Sequence, residues 1–494
     1  MQKQKKEDIL LGLIRDGRPM SRRQRFSLIA RLSIPSILAQ LSGILMVYID
    51  ASMVGSLGAE ASASIGLVST TTWLFNGLCV AIATSFSVQV AHFIGANDTK
   101  SAKEVLRQAF FVTGLCSLCL AGIGVGISNP LPEWLGGNED INAGASSYFA
   151  IYALSLPFLQ LNYLSGSMLR CSGNMRVPSL LSLLMCILDV VFNMLFIFPT
   201  RTLSIGAWQF EMPGAGMGVA GAALGTAVAI FCTSAIMSSF LCFRSSSLAI
   251  GKEIGFARGK TRPVFSLFRP QKRCLSRASR IGLPMALERT VMCGAQIMST
   301  VIVAPLGTIA IAANSFAITA ESLCYMPGYG ISDAATTIVG QSIGAGRYKL
   351  TRGFARMTVG LGMAVMTFMG VIMYVAAPQM MSILSPVEEI KQLGAEVLRI
   401  EAFAEPMFAA AIVSYGVFVG AGSTLVPSCM NLFSIWAVRL SLAALLAPVL
   451  GLRGVWIAMC TELCFRGTIF LIRLFRGRWL KPGHVRLGKH NSRT

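Results

Sequence analysis

Acidic side chains inside apolar segments are the residues of this chain best suited to chemistry. Asp50 ends the apolar run Ile44–Asp50, and Asp189 lies four residues before Asn193, which places both on one helix face. Thr226 closes a Gly- and Ala-rich stretch. Two carboxylates, an amide oxygen and a hydroxyl at similar depth could coordinate Na⁺ or hold a proton, since either relieves carboxylate repulsion. The alternative is a cluster of hydrogen-bonded polar side chains that binds and transports no ion.

The second half of the chain contributes four further candidates. A charge at membrane depth costs about 2.5–3.5 kcal/mol on insertion scales, so an acid there needs a partner or a role in a cavity. Glu288 precedes Arg289, which could be its counterion or a contact for a phosphate, whereas Glu321 has no basic residue one turn further on. We expect acids of this half to serve a substrate cavity, and the candidates are Glu288, Glu321, Glu401 and Glu405.

Four other charged residues of the apolar segments have structural interpretations. Glu462 and Arg466 are four residues apart, which favours a buried ion pair on one helix. Arg439 has no acid one turn away, and we expect an acid of another helix to match it. Asp333 follows Gly328–Gly330 and could serve a bend there.

The composition places these residues in a membrane. The chain has 494 residues, of which 54% are hydrophobic and 13% charged, and its mean hydropathy is +0.65. Soluble proteins carry about 25% charged residues, so this chain cannot cover a water-facing surface of ordinary size. Nearly all of the 13 Cys stand in apolar runs, where they pack as small apolar side chains. Neither a secreted disulfide scaffold nor a Cys-based metal centre is therefore expected.

The motifs of common enzyme classes are absent from the sequence. It has no His-Glu-x-x-His zinc motif, no Gly-x-Ser-x-Gly elbow and no P-loop, so we expect neither an enzyme nor direct use of ATP. Lys and Arg number 42 against 22 Asp and Glu, a net charge of +20. Membrane orientation explains most of this excess, and we expect no nucleic-acid partner.

Apolar segments of about 20 residues, the length that a bilayer requires, occur twelve times. Most Lys and Arg lie in alternate loops, among them residues 1–25, 244–280 and 473–494. By the positive-inside rule both termini are cytoplasmic, and we expect a multi-pass protein of the cell inner membrane. The expected spans are 28–54, 63–92, 105–128, 147–169, 177–200, 217–243, 278–304, 311–340, 356–377, 394–419, 425–448 and 452–474.

The two halves of the chain resemble each other at a constant spacing. Arg31–Pro35 has a counterpart in Arg280–Pro284, 249 residues later. Six spans return each half to its starting side, so an axis along the membrane normal relates the halves, as in transporters built from two bundles around a cavity. The same offset connects Gly58 with Gly307, Gly95 with Gly344, Pro157 with Pro406, Gly173 with Gly422 and Pro178 with Pro427.

These observations define an expected fold and its boundaries. The fold class is an all-α integral membrane protein with twelve transmembrane helices in two six-helix bundles related by pseudo-two-fold symmetry. An extra stretch of the first half, around Thr202–Gly216, is expected to form a loop. The segments are a basic cytoplasmic N-terminal segment (1–27), an N-terminal lobe (28–243), a basic cytoplasmic linker (244–277), a C-terminal lobe (278–477) and a basic cytoplasmic tail (478–494).

Over nearly its whole length the chain resembles the MATE family (multidrug and toxic compound extrusion). The resemblance lies in motifs that follow one another in order and are doubled between the halves. These motifs are Asp50–Gly58, Leu169–Pro178, Gly218–Thr226, Val339–Arg347 and Gly420–Pro427.

The resemblance implies two lobes of six helices around a V-shaped cavity, and efflux of organic cations in exchange for Na⁺ or H⁺. Asp50 matches the family's aspartate on the first helix, and Thr226 its hydroxyl on the sixth. Some members place Asn four residues before Asp on the fifth helix, whereas here Asp189 precedes Asn193. In another branch a glutamate of the seventh helix binds the cation, and Glu288 lies about one turn earlier than that position.

The leading hypothesis is a secondary antiporter, and the alternative is a flippase for lipids or lipid-linked oligosaccharides. Such flippases share the broader fold but usually have more basic cavities, whereas the unpaired charges inside these spans are mainly acidic. We expect no cofactor besides the coupling ion, and no metal beyond a possible Na⁺. The expected partners are small organic cations and membrane lipids, and we expect a monomer. The candidate ion ligands are Asp50, Asp189, Asn193 and Thr226.

Overall fold

The computed structural model of the protein describes residues 2–205, 208–251 and 271–480, with side chains for 7–201, 212–251 and 271–480. Most of the expected linker (252–270) and of the expected tail (481–494) lies outside these residues.

Nearly all regular structure in the first half is helical. Ser21 and Gln24 form a reciprocal capping box at one helix start, and Asp98 accepts a hydrogen bond from the Ser101 amide at another. A π-helical turn, Phe240–Arg244, continues the last helix. The helices are α1 (Gln2–Arg15), α2 (Arg22–Gly55), α3 (Ala59–Gly95), α4 (Thr99–Ile127), α5 (Leu131–Trp134), α6 (Glu139–Cys171), α7 (Arg176–Phe196) and α8 (Gly218–Ser239).

The stretch expected as a loop around Thr202–Gly216 is instead an antiparallel hairpin. Its strands are β1 (Pro199–Ile205) and β2 (Trp208–Ala215). Thr200 and Gly214 bond to each other through the threonine hydroxyl at the base of the hairpin. The alternation of apolar and polar residues from Trp208 onward is the strand signal that the loop interpretation missed.

The described part of the second half, residues 271–480, contains eight helices, joined in part by short 3₁₀ and π turns. Ala304–Leu306 forms a 3₁₀ turn, and the π-helical segment Ser434–Leu440 joins two helices into one longer rod. The helices are α9 (Lys272–Val303), α10 (Thr308–Gly344), α11 (Tyr348–Leu384), α12 (Glu388–Ala402), α13 (Glu405–Gly420), α14 (Leu425–Phe433), α15 (Ser441–Leu450) and α16 (Leu452–Arg476).

Ten helical segments of the described chain are long and apolar enough to cross a membrane, or eleven if α12 and α13 form one span. α12 and α13 meet at a bend of 60°, so the expected span 394–419 is broken. Pro406 stands in the first turn of α13, where its missing N–H leaves no helical hydrogen bond unmade. The expected span 147–169 lies in α6, which has 33 residues but is not among the ten. Its Gln160 is buried and α3, α4 and α8 surround the helix, so it has less need of an apolar surface.

Helices of each half pack mainly against one another. In the first half α6 packs against α3, α4 and α8, and α7 packs against α2 and α8. In the second half α10 packs against α11 and α13, and α16 packs against α13 and α15. Contacts between the halves are made chiefly by α2 with α10 and by α3 with α9 and α10. Because the repeat offset carries α2 to α9 and α3 to α10, these contacts follow the two-fold relation.

Helix α1 bonds to both halves of the molecule. Glu7 forms an ion pair of 2.6 Å with Arg176 at the start of α7. Arg347, before α11, donates to the backbone oxygens of Leu13 at 2.9 Å and Arg18 at 2.7 Å. The first helix therefore spans the junction between the halves.

Candidate functional site

The predicted ion ligands of the first half come together between α2, α7 and α8. Asn193 Nδ2 donates hydrogen bonds to Asp50 Oδ1 at 2.8 Å and to Asp189 Oδ2 at 3.1 Å. Asp189 and Asn193 are fully buried, and Asp50 is half-buried. The two carboxyl groups face each other, and Thr226 lies beside Asp189. We call Asp50, Asp189, Asn193 and Thr226 the first-half acid cluster.

Local sequence explains why these side chains can meet. Asp189 and Asn193 lie on one face of α7, four residues apart. Gly225 of α8 packs against this face, and a Cβ atom at that position would collide with Asn193 Oδ1. The small residues of α8 therefore let α7 approach closely enough for Thr226 to reach Asp189.

Two oxygen atoms of the cluster lack hydrogen-bond donors. Among the described side chains, Asp189 Oδ1 and Asn193 Oδ1 are buried without a partner. Buried polar atoms are normally paired, so these two oxygens are free to accept a hydrogen bond or to coordinate a cation. In the described chain no group of three or more His, Cys, Asp or Glu side chains is arranged to hold a metal ion. The first-half acid cluster offers oxygen atoms only, which suit a small hard cation better than a transition metal.

Glu288 of α9 is held by three neutral donors from the distant helices α13 and α14. Tyr415 Oη and Ser428 Oγ donate to Glu288 Oε2 at 2.7 and 2.5 Å, and Asn431 Nδ2 donates to Oε1 at 2.7 Å. Arg289, which the sequence suggested as a counterion, interacts electrostatically with Glu288, but the three neutral donors make the hydrogen bonds. They lie 127 to 143 residues away, so no local pattern could have identified them.

The expected ion pair of Glu462 and Arg466 is present, and the expected acid partner of Arg439 is also Glu462. Both arginines approach the Glu462 carboxylate to 3.0 Å. Ser434 Oγ donates to the same carboxylate at 2.5 Å. Ser434 and Arg439 both belong to the π-helical segment between α14 and α15. This irregular helical segment therefore directs two of its side chains towards Glu462 of α16.

The other three acids predicted for the second half lie around the bend between α12 and α13. Glu401 and Glu405 flank the bend, and Glu321 of α10 is close enough to interact electrostatically with both. All three are buried, and none of the four carboxyl oxygens of Glu401 and Glu405 has a hydrogen-bond partner among the described side chains. Arg439 and Arg466 interact electrostatically with Glu321, which joins these acids to the Glu462 ion pairs.

A cavity of about 350 Å³ lies between the halves. Gln40 and Thr84 contribute from the first half, and Tyr329 and Tyr415 from the second. This volume lies in the range of small-molecule sites in proteins. Glu288 lines the cavity, whereas Glu321, Glu401 and Glu405 are not among its lining residues. The charged residues of the lining are Arg170, Arg289, Arg466, Glu288 and Asp333.

Asp333 connects the two halves at the cavity wall. Its Oδ2 accepts hydrogen bonds from Ser36 at 3.1 Å and from Gln40 at 3.3 Å, both on α2. The sequence suggested a role in a bend of α10, but the hydrogen bonds instead join α10 to the first half. α10 continues unbroken through this region.

Two homologous halves, many membrane-length helices and a cavity between them define a multi-pass membrane protein with the construction of a transporter. The chain belongs to the MatE family, whose sequence profile matches residues 35–195 and 284–445. The two matches begin at Pro35 and Pro284, which are separated by the repeat offset of 249 residues.

Relatives and solved structures agree with this assignment. The chain is 26% identical to "Probable multidrug resistance protein NorM" of Thermotoga maritima, over 91% of this chain and 92% of that protein. It is 26% identical to the protein of the same name from Pseudomonas aeruginosa, over 87% and 84%. These relatives are named as resistance proteins and not as enzymes.

Two solved structures share the fold. A MOP superfamily transporter from Pyrococcus furiosus has a TM-score of 0.82 at 19% identity, covering 94% of this chain and 97% of that one. The Vibrio cholerae MATE transporter VcmN in its bent form has a TM-score of 0.79 at 18% identity, covering 93% and 97%.

Proposed function

We propose that the protein is a secondary antiporter that exports drugs and other amphipathic organic cations in exchange for Na⁺ or H⁺. The first-half acid cluster is the observation that carries the proposal. It places two facing carboxyl groups and two unpaired oxygens inside the membrane-spanning part of a MatE-family chain. Relatives that cover nine-tenths of this chain are named as multidrug resistance proteins, which supports drug export.

The proposed architecture is twelve transmembrane helices in two six-helix bundles, an N-terminal lobe (28–243) and a C-terminal lobe (278–477). α6 would be the fourth span, and α12 with α13 a single bent span. The alternation of basic loops supports cytoplasmic termini. The bonds of α1 to both halves would then close the cytoplasmic side, and the protein would work as a monomer.

In this proposal ion binding is coupled to substrate export because the first-half acid cluster has different neighbours in the two conformations of the protein. A Na⁺ ion or proton between Asp50 and Asp189 removes their repulsion and stabilises the packing of α2 against α7. Without the ion, that packing is destabilised and the cavity opens to the other side of the membrane. An ion shifts the equilibrium only by its difference in affinity for the two states, so the cluster must be rearranged in one of them.

Glu321, Glu401 and Glu405 are proposed as a second place for a proton or cation. Their carboxyl groups are buried together, and those of Glu401 and Glu405 lack partners among the described side chains. A bent helix of this kind can rearrange at its break, so occupancy of the cluster would be linked to the angle between α12 and α13.

A gradient experiment tests the antiporter proposal. The full chain is reconstituted in liposomes, a Na⁺ gradient or a pH gradient is imposed separately, and movement of the fluorescent cation rhodamine 123 is followed. We expect one gradient to drive movement and Asp50→Asn to abolish it, because this variant keeps an oxygen that accepts from Asn193 but loses the charge. Glu60→Gln, which removes an exposed acid, should transport normally. Normal transport by Asp50→Asn would refute the proposal.

A lipid flippase is the second candidate, and the arginines of the cavity favour it. Arg170 and Arg289 line the cavity and could bind a phosphate. The same liposomes test it through the transbilayer movement of a fluorescently labelled phospholipid. Lipid movement without gradient-driven dye transport would replace the antiporter with the flippase.

A further inference from the structure

We infer that the central cavity binds an anionic group of its substrate, a carboxylate or phosphate, through Arg170 and Arg289. The inference rests on the proposed function only in taking this cavity as the place where substrate is carried. It changes the expected substrate class, because the acids of the second half suggested recognition of positive charge alone.

The carboxylates of the cavity wall already have hydrogen-bond donors. Glu288 accepts from a phenol, a hydroxyl and an amide, and Asp333 accepts from Ser36 and Gln40. These donors are neutral and belong to the protein. Hydrogen bonds to a charged acceptor are worth about 1.5–3 kcal/mol each, so both acids are stable in place without a ligand.

The arginines of the cavity wall have fewer hydrogen-bond partners than its carboxylates. Arg466 pairs with Glu462 at 3.0 Å. Arg170 Nη2 has one side-chain contact, Ser167 Oγ at 3.3 Å, and within the described chain no hydrogen bond or ion pair occurs at the guanidinium of Arg289. Two guanidinium groups therefore face the cavity without an acid hydrogen-bonded to either.

Arg170 and Arg289 approach the same part of the cavity. Both interact electrostatically with the hydroxyl of Tyr163, which also lines the cavity. Arg289 in addition interacts electrostatically with Tyr329, Tyr415 and Glu288, although the carboxylate of Glu288 makes its hydrogen bonds elsewhere. Gly77 of α3 supports the Arg289 stem, since a Cβ atom there would stand 3.2 Å from Arg289 Cδ.

A guanidinium presents paired N–H groups that match the two oxygens of a carboxylate or phosphate. An arginine without a hydrogen-bonded acid at membrane depth is costly, and a bound anion removes that cost. The wall also carries neutral polar and apolar side chains, and its apolar part makes the complementary molecule amphipathic. The apolar lining includes Val80, Met285, Met292, Ile412 and Val419.

Two dyes isolate the predicted anionic contact. Rhodamine 110 and rhodamine 123 have the same ring system, but the carboxylate of the first is a methyl ester in the second. Binding to the purified full chain is measured by fluorescence anisotropy in detergent, without any gradient. We expect rhodamine 110 to bind about tenfold more tightly or better, in keeping with at least one charge-assisted hydrogen bond.

Variants assign the contact to residues. Arg170→Gln and Arg289→Gln should each remove most of the preference for rhodamine 110 over rhodamine 123. Arg289→Lys should keep part of the preference, because it retains the charge but not the paired N–H groups. The control is Arg399→Gln, since Arg399 is exposed and contacts Tyr374 instead of the cavity.

Equal binding of the two dyes by the wild-type chain would overturn the inference, and this comparison does not depend on whether a variant folds. Loss of both dyes' binding in the two glutamine variants, with melting curves unchanged, would overturn it as well. Gradient-driven transport of rhodamine 123 is a separate measurement. If transport persists while the dyes bind equally, the anion inference fails and the antiporter proposal stands. If rhodamine 110 binds more tightly but neither gradient drives transport of rhodamine 123, only the antiporter proposal is refuted.

The anionic group could belong to a soluble molecule or to a lipid headgroup. Phosphatidylglycerol and phosphatidylcholine are added separately to the micelles that contain bound rhodamine 110. Displacement by phosphatidylglycerol alone assigns the site to a lipid headgroup of net negative charge, whereas retention of the dye with both lipids assigns it to a soluble anion. Each result supports an anion site at the two arginines.

Discussion

Gly95 of α3 packs against the backbone of Gln341, and Gly344 of α10 packs against the backbone of His92. The offset of 249 residues carries Gly95 to Gly344 and also His92 to Gln341. The two contacts are therefore copies of one contact, exchanged by the two-fold relation between the halves. A Cβ atom at either glycine would collide with a carbonyl group of the other half, so both helix ends require glycine.

Gly95→Ala tests this helix crossing. We expect the variant to lose about 1–3 kcal/mol of stability, because the added methyl group forces the two backbones apart. The measurement is thermal unfolding of the purified protein in detergent. Gly114→Ala is the control, since a Cβ atom there meets open space within α4, and it should leave stability unchanged or raise it. Equal melting temperatures for wild type and Gly95→Ala would contradict the packing.

Glu462→Gln tests the buried ion pairs of the second half. Removal of this charge leaves Arg439 and Arg466 without their carboxylate, and we expect a loss of about 3–5 kcal/mol. The matched change is Glu396→Gln, which breaks an exposed pair with Arg453 and should cost at most about 1 kcal/mol. Thermal unfolding compares the two variants. The expectation fails if Glu396→Gln is the more harmful change.

Gly225→Ala tests the geometry of the first-half acid cluster without changing any of its charges. The added methyl group displaces Asn193, which holds Asp50 and Asp189 in contact. We expect ion-coupled dye transport in liposomes to fall at least about tenfold, consistent with the loss of a hydrogen bond to a charged group. Gly122→Ala, at an open position of α4, should transport normally. Wild-type transport by Gly225→Ala would show that the position of Asn193 does not matter.

Arg347→Ala tests the attachment of α1. The variant loses the hydrogen bonds to Leu13 and Arg18, and we expect Cys171 near the junction to become more reactive. In the wild type Cys171 is buried, and Gln341 donates to its backbone oxygen at 2.8 Å. The measurement is the maleimide labelling rate in a chain that keeps only this cysteine.

The control for this labelling experiment is Lys349→Ala, because Lys349 is exposed near the start of α11, two residues after Arg347. It removes a basic side chain without touching α1. Equal labelling rates in all three chains would show that Arg347 does not hold α1 in place.

Patterns within one helix were predictable from the sequence, and contacts between helices were not. The spacing of Glu462 and Arg466 predicts their ion pair, since positions four apart share a helix face. In contrast, Tyr415, Ser428 and Asn431 bond to Glu288 only because α9, α13 and α14 converge, and no spacing indicates that.

The departures from the expected elements also have local causes. Pro157 lies inside the continuous helix α6, whereas its repeat partner Pro406 follows a break, so homologous prolines do not have one structural effect. The assignment of ion ligands to Asp50, Asp189, Asn193 and Thr226 stays a prediction, although the fold brings the four side chains together.

Helix α1 is bonded to Arg176 on one half and to Arg347 on the other. If the cavity opens on the side where α1 lies, the two halves part there, and α1 must then leave Arg176 or Arg347 in every turnover. The free energy of its docking then adds directly to the difference between the two states. Each ~1.4 kcal/mol of docking changes their ratio tenfold. The docking of this helix of fourteen residues thus sets how much of the protein is in each of the two states.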